Sequence, residues 1–175
     1  MPVRIILLRA VNVGGGGKLP MADLRAIATD LGATDVRTYI ASGNLVADVP
    51  SDPDAFDRSL EQAVEQRFGF FRDVISRSPE QVRDALDAHP FEIVEPKFSY
   101  VSFLAGVPTP AALEKARTHE THDDRWDVIG SEMHIRYADG AGRPQMKSDQ
   151  IGRALGVPGT ARNLNTVRKL IELAT

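Results

Sequence analysis

The chain of 175 residues predicts an α+β fold with mainly antiparallel sheets, arranged as two tandem halves, 1–90 and 91–175, in one compact unit. Three observations predict it. Apolar, β-rich runs and amphipathic helical stretches follow one another in the order strand, helix, strand, strand, helix, strand. A second series of the same kind restarts near residue 98. The opening run, Ile5 to Leu8, is apolar on both faces, as expected of a strand covered on two sides.

Taken in order, residues 3–11 read as the first strand. A helix follows over 20–31, where Met21, Leu24, Ile27, Ala28 and Leu31 share one face and Gly32 supplies the stop. The stretch "DVRTYIASGNLVADV" gives two short strands joined at Ser42-Gly43-Asn44, a hairpin signal. Asp52 caps a second helix with Pro53 at its first position and Phe56, Leu60, Ala63 and Val64 as its buried stripe. A strand over 71–77 leads to Ser78, Pro79 and Gln81, a capping signature for a short helix that ends before His89-Pro90. The second half offers a strand over 98–105 and a helix over 109–118. Two strands then turn at Gly130-Ser131, and helical segments follow over 148–155 and 163–174. This order is that of a ferredoxin-like (βαββαβ-type) plait, so the chain reads as two such plaits packed together.

Composition narrows the function classes. A hydrophobic fraction of 42% with 26% charged residues suits a globular protein, and the absence of cysteine excludes disulfides and thiolate metal sites. The run "IILLRAV" is too short to span a bilayer and contains Arg9, so no membrane association and a cytoplasmic location are expected. A net charge of −3 argues against broad nucleic-acid binding. The charge is uneven, however: 51–95 leans acidic, while Arg143, Lys147, Arg153, Arg162, Arg168 and Lys169 make the C-terminal end basic.

The segment "RAVNVGGGGKLP" is the first candidate site. In a plait the loop after the first strand and the hairpin turn lie at the same end of the sheet, with the N-terminus of the first helix pointing there. Arg9, Asn12, Gly14, Gly15, Lys18, Ser42, Gly43 and Asn44 are therefore expected to converge as a cradle for a phosphate or carboxylate. It is not a P-loop, since Asn12 and Leu19 stand where glycine and Ser or Thr are required. Nor does it fit G-x-G-x-x-G. The second candidate is "GTARNLNTVRKLIEL". Asn163 or Asn165 caps the last helix, and Arg162, Asn163, Asn165 and Thr166 exceed what capping requires, which suits a further anionic group. His119-Glu120-Thr121-His122-Asp123-Asp124 reads as a solvated linker, so no metal site and no cofactor are expected, and no nucleophile or acid–base pair is marked by spacing.

Together, "LLRAVNVGGGGKLPMADLRAIATDLGATDVRTYIASGN" and "TARNLNTVRKLIEL" resemble the bacterial proteins grouped as domain of unknown function family 1697. The resemblance covers nearly the whole chain. It implies a duplicated ferredoxin-like α+β fold and no particular reaction. The residues characteristic of that family fall here on Arg9, Asn12, Gly14, Gly15, Lys18, Met21, Arg37, Thr38, Ser42, Gly43, Asn44, Arg162, Asn163, Asn165 and Thr166. Two departures stand out: Ala10-Val11 replaces the usual Gly-Ile, and Leu164 replaces an aromatic residue whose stacking on a base would favour a nucleotide.

The function expected is binding of a small anionic or phosphate-bearing ligand, nucleotide-like or an acyl phosphate, at the 12–18 loop and the 42–44 hairpin. Acylphosphatases use the first loop of a plait in this way, but their loop motif is absent. The alternatives are nucleic-acid binding through the basic C-terminal end, or a regulatory interaction module without catalysis. Strands without aromatic residues oppose the base-stacking mode of RNA-recognition plaits.

Overall fold

The computed structural model describes residues 1–12, 18–50 and 52–175. It is a mixed α+β structure with two four-stranded antiparallel sheets and, among the described residues, six α-helices. The chain divides into two units: residues 1–83 with 169–175, and residues 84–168.

The first unit contains β1 (Val3–Leu8), α1 (Met21–Asp30), β2 (Thr34–Thr38), β3 (Asn44–Asp48), α2 (Pro53–Phe68), β4 (Val74–Arg77) and the start of α3 (Pro79–Asp87). Its strand order is β2-β3-β1-β4. Alternation assigns the faces. Ile6 and Leu8 join Leu45, Ala47 and Val74 against Leu24, Ile27 and Ala28 of α1 and Phe56, Leu60 and Val64 of α2. Ile5, Leu7, Val46 and Ile75 on the opposite face are buried as well, so β1 has no solvent face. The helix boundaries follow local chemistry. Asp52 accepts from the Ala55 N–H at 3.2 Å, and α2 stops at Gly69 with φ 77°. Ser78 and Gln81 exchange hydrogen bonds of 2.8 and 3.1 Å as a reciprocal cap on α3.

The second unit contains a one-turn 3₁₀ segment (Pro96–Phe98), β5 (Ser99–Leu104), α4 (Pro110–Ala116), β6 (Arg125–Ile129), β7 (Glu132–Arg136), α5 (Ser148–Leu155), β8 (Gly159–Asn163) and the start of α6 (Leu164–Leu173). Its order is β6-β7-β5-β8, the same pattern as the first sheet. Leu104, Met133, Ile135 and Tyr137 pack with Trp126, Ile151 and Leu155 on the helix-bearing side.

The structure corrects two sequence boundaries. The first strand ends at Leu8 rather than residue 11, because Ala10 and Asn12 adopt φ of 57° and 56°, outside the extended region. Residues 159–163 form an edge strand paired with β5, where the sequence reading passed directly to a helix. Gly-Thr-Ala-Arg-Asn carries no alternating apolar signal, and backbone pairing with β5 supplies what the side chains do not.

Candidate functional site

The first candidate site starts where β1 meets the hairpin. Asn44 faces Leu7 across the β1–β3 pair, which places the 42–44 turn beside the end of β1. The Leu8 N–H donates to the Gly43 carbonyl at 2.9 Å. Gly43 is required twice over. Its φ is 82°, and a Cβ there would lie 3.1 Å from Leu8 Cβ and 3.2 Å from Val11 Cβ.

Asn12 then ties the chain together. Its amide nitrogen donates to the carbonyls of Leu19 (2.9 Å) and Ala41 (2.7 Å), while its oxygen accepts from the Leu19 N–H at 2.7 Å. One side chain thus holds both flanks of the 13–17 segment against the hairpin. Val11 and Leu19 are buried beneath it, and Lys18 is exposed. Gly14 and Gly15 lie outside the described residues.

Two asparagines expected to face a ligand bond to the chain itself through their side-chain amides. Asn12 spends its amide on the clasp. Asn44 is wholly buried, and its nitrogen donates to Tyr39 O (3.0 Å) and Ser42 Oγ (2.9 Å). These residues, with Ser42, shape the turn. The cations remain near the surface. Arg9 is half-exposed and lies 3.8 Å from Asp73. Lys18 makes no ion pair among the described residues. The sequence reading missed a further cation, Arg72, whose Nε donates to the Ala10 carbonyl at 3.2 Å and whose guanidinium sits 4.4 Å from the Phe70 ring centroid. Only the β1–β4 pairing brings residue 72 to residue 10, so no local pattern marks it.

The C-terminal candidates belong to the second unit. Asn163 Oδ1 accepts from the Thr166 N–H at 2.9 Å, which makes Asn163 the cap of α6, and Asn165 is exposed. Arg162 is buried, with 8% of its surface exposed, and burial pushes its pKa down to about 10. Its Nη1 donates to Thr160 Oγ1 (2.5 Å) and to the Ala161 carbonyl (3.0 Å), so this guanidinium is committed to β8. Thr166 is also buried.

Three polar groups carried no sequence signal. In the first unit Ser76 donates to Asp57 at 2.6 Å and accepts from Arg4 at 3.0 Å. Burial raises the Asp57 pKa to about 6, with the Ser76 hydrogen bond and the Arg4 charge holding it back. In the second unit His89 and His134 meet Nδ1 to Nδ1 at 3.0 Å, and both Nε2 atoms are buried without a hydrogen-bond partner among the described residues. Burial lowers both pKa values, that of His89 to about 4. Asp124, expected in a solvated linker, is wholly buried. Its carboxylate accepts from the N–H groups of Ala138 (2.9 Å), Gln145 (2.7 Å) and Met146 (3.0 Å). No group of three or more potential metal-ligating side chains occurs among the described residues. None of their helices is long and apolar enough to cross a membrane.

Residues 1–134 match the family described as "Protein of unknown function (DUF1697)". The chain belongs to this family. Among solved structures it is similar to the conserved bacterial protein SP0830 from Streptococcus pneumoniae, with a TM-score of 0.74 and 21% identity. That match covers 99% of this chain and 98% of the other. At this identity the likeness speaks for the fold alone. No curated protein matches the sequence.

Proposed function

We propose that this protein binds a small anionic or phosphate-bearing ligand where the 12–18 loop meets the 42–44 hairpin. The observation that carries the reading is the Asn12 clasp, which pins Leu19 and Ala41 to one point. A segment containing four glycines is entropically costly to order, and the clasp already joins the residues on its two flanks, Asn12 and Leu19. Lys18 makes no ion pair among the described residues, while Arg9 lies beside Asp73 and Arg72 donates to the Ala10 carbonyl. In this reading Lys18, Arg72 and Arg9 supply charge, backbone amides of the glycine segment supply donors, and Asn12, Ser42, Gly43 and Asn44 fix the frame. The shared strand order of the two sheets supports the companion reading, a tandem pair of ferredoxin-like plaits divided near residue 90. Nucleic-acid tracking by the C-terminal end is less favoured, because Arg162 is buried and already bonded.

The test is calorimetric titration and thermal shift of the wild type, Lys18→Ala and Asn12→Ala with inorganic phosphate, acetyl phosphate, AMP and acetate. A ligand at about 100 times its Kd adds about 2.7 kcal/mol, or roughly 5–10 °C in Tm for a domain of this size. The expected result is a phosphate-dependent shift weakened about tenfold or more by Lys18→Ala. Unchanged binding in both variants, or no response from the wild type, overturns the proposal.

A further inference from the structure

A cleft lies within the second unit, beside the paired strands β5 and β8. It encloses about 430 Å³, a volume in the range of small-ligand sites. Lys97, Phe98 and Tyr100 line one side together with Asn163, which is in register with Tyr100 across the β5–β8 pair, and the 139–143 loop lines the other.

The loop is built rather than loose. Asp124 anchors its ends through the N–H groups of Ala138, Gln145 and Met146. Gln145 braces it further by donating to Asp139 at 2.9 Å. Gly140, at φ 88°, packs so closely on Phe98 that a Cβ would lie 2.8 Å from the ring. The donors that remain have no partner among the described residues. Lys97 and Arg143 are exposed and form no ion pair among the described residues, Lys97 resting 5.7 Å from the Phe98 centroid. The N–H groups of Ala141 and Gly142 make no hydrogen bond to described residues. Tyr100 stands opposite Asn163 across the β5–β8 pair, and Asn163 Oδ1 accepts from the Thr166 N–H.

We propose that this cleft binds a hydroxyl-bearing phosphate monoester. Lys97 and Arg143 match the two negative charges of the phosphate, and the Ala141 and Gly142 amides and the Tyr100 hydroxyl donate to its oxygens. The Asp139 carboxylate, which among the described residues accepts from Gln145 alone, takes a ligand hydroxyl, and the Phe98 ring faces the ligand's carbon skeleton. The same chemistry occurs in a sugar phosphate and in a nucleoside monophosphate. This site is independent of the one proposed at Lys18.

The experiment titrates the full chain with ribose 5-phosphate, AMP and inorganic phosphate by calorimetry, and follows amide shifts by NMR. Variants are Arg143→Ala, Lys97→Ala and, as a control, Lys115→Ala; all three positions are exposed, so the fold is not at stake. The expected result is binding of at least one organic phosphate more tightly than inorganic phosphate, with Ala141 and Gly142 amides shifting. Arg143→Ala and Lys97→Ala each weaken the binding that the Ala141 and Gly142 amides report about tenfold or more, and Lys115→Ala leaves it unchanged. Equal binding of ribose 5-phosphate and AMP assigns recognition to the shared sugar phosphate; tighter AMP binding adds a contact to the base. Absence of binding at these amides, affinity indifferent to Arg143 and Lys97, or an equal loss in Lys115→Ala overturns the proposal.

Discussion

Replacing Asp124 by alanine removes one carboxylate and strands three backbone donors, those of Ala138, Gln145 and Met146. Hydrogen bonds to a charged acceptor contribute about 1.5–3 kcal/mol each, and an unsatisfied buried donor costs about 1–3 kcal/mol. The three positions are unequal. Met146 is only 2% exposed, so its amide cannot turn to water, whereas Ala138 and Gln145 are half-buried and water can replace part of what is lost. Counting one full penalty and two partial ones gives a loss of about 3–5 kcal/mol, a large share of the stability of an ordinary domain. At roughly 2–4 °C per kcal/mol, Tm falls by about 10 °C. Asp124→Asn keeps the shape and one carbonyl but points an NH₂ group at a donor, so its loss is about half as large. Urea unfolding with circular dichroism ranks wild type, asparagine and alanine variants in that order. A loss below about 1 kcal/mol in Asp124→Ala would falsify the view that this carboxylate holds the 138–146 loop.

Other perturbations follow from the same geometry. Gly43→Ala forces a Cβ into a left-handed backbone 3.1 Å from Leu8; a loss of about 2–3 kcal/mol is expected in thermal unfolding, and a neutral outcome would show that the hairpin shifts freely. Asp57 has a folded-state pKa raised to about 6 from 3.8, so its contribution is fully present below pH 3.8 and is lost as pH rises through 6. Asp57→Asn should therefore raise stability by about 1–2 kcal/mol at pH 8 relative to its effect at pH 4, measured as the difference between two pH–stability profiles; parallel profiles refute it. The histidine pair acts in the opposite direction. With the His89 pKa depressed to about 4 from 6.5, the folded state resists protonation, and stability present above pH 6.5 declines as pH falls toward 4. Allowing for the partial exposure of the ring and for Asp127 and Glu132 near His134, the decline is roughly 1–2 kcal/mol. His89→Gln should flatten that part of the profile, and an unaltered slope between pH 4 and 6.5 counts against a coupled pair.

Local chemistry determined much of this protein. The amphipathic spacing of Leu24, Ile27 and Ala28, the doubly apolar run Ile5 to Leu8 and the caps at Asp52, Ser78 and Asn163 each depend on neighbours within a few residues, and each was legible in the sequence. The meeting of the glycine-loop flank with the hairpin followed from strand order, so the Asn12 contact to Ala41 was within reach of sequence reasoning. Tertiary structure alone decided the rest. β8 exists because β5 offers a row of backbone partners, which Gly-Thr-Ala-Arg-Asn does not advertise. Asn44 and Arg162 look like surface ligand groups in one dimension, yet the folded chain buries both and uses their polar atoms. Arg72 reaches Ala10 across 62 residues, His89 reaches His134 across 45, and Asp124 collects donors from 14 to 22 positions away. A polar side chain has no intrinsic preference among water, a ligand and a distant amide. Which of these it meets depends on how the strands pair, and that is set by the packing of the whole unit rather than by the residue's own neighbourhood.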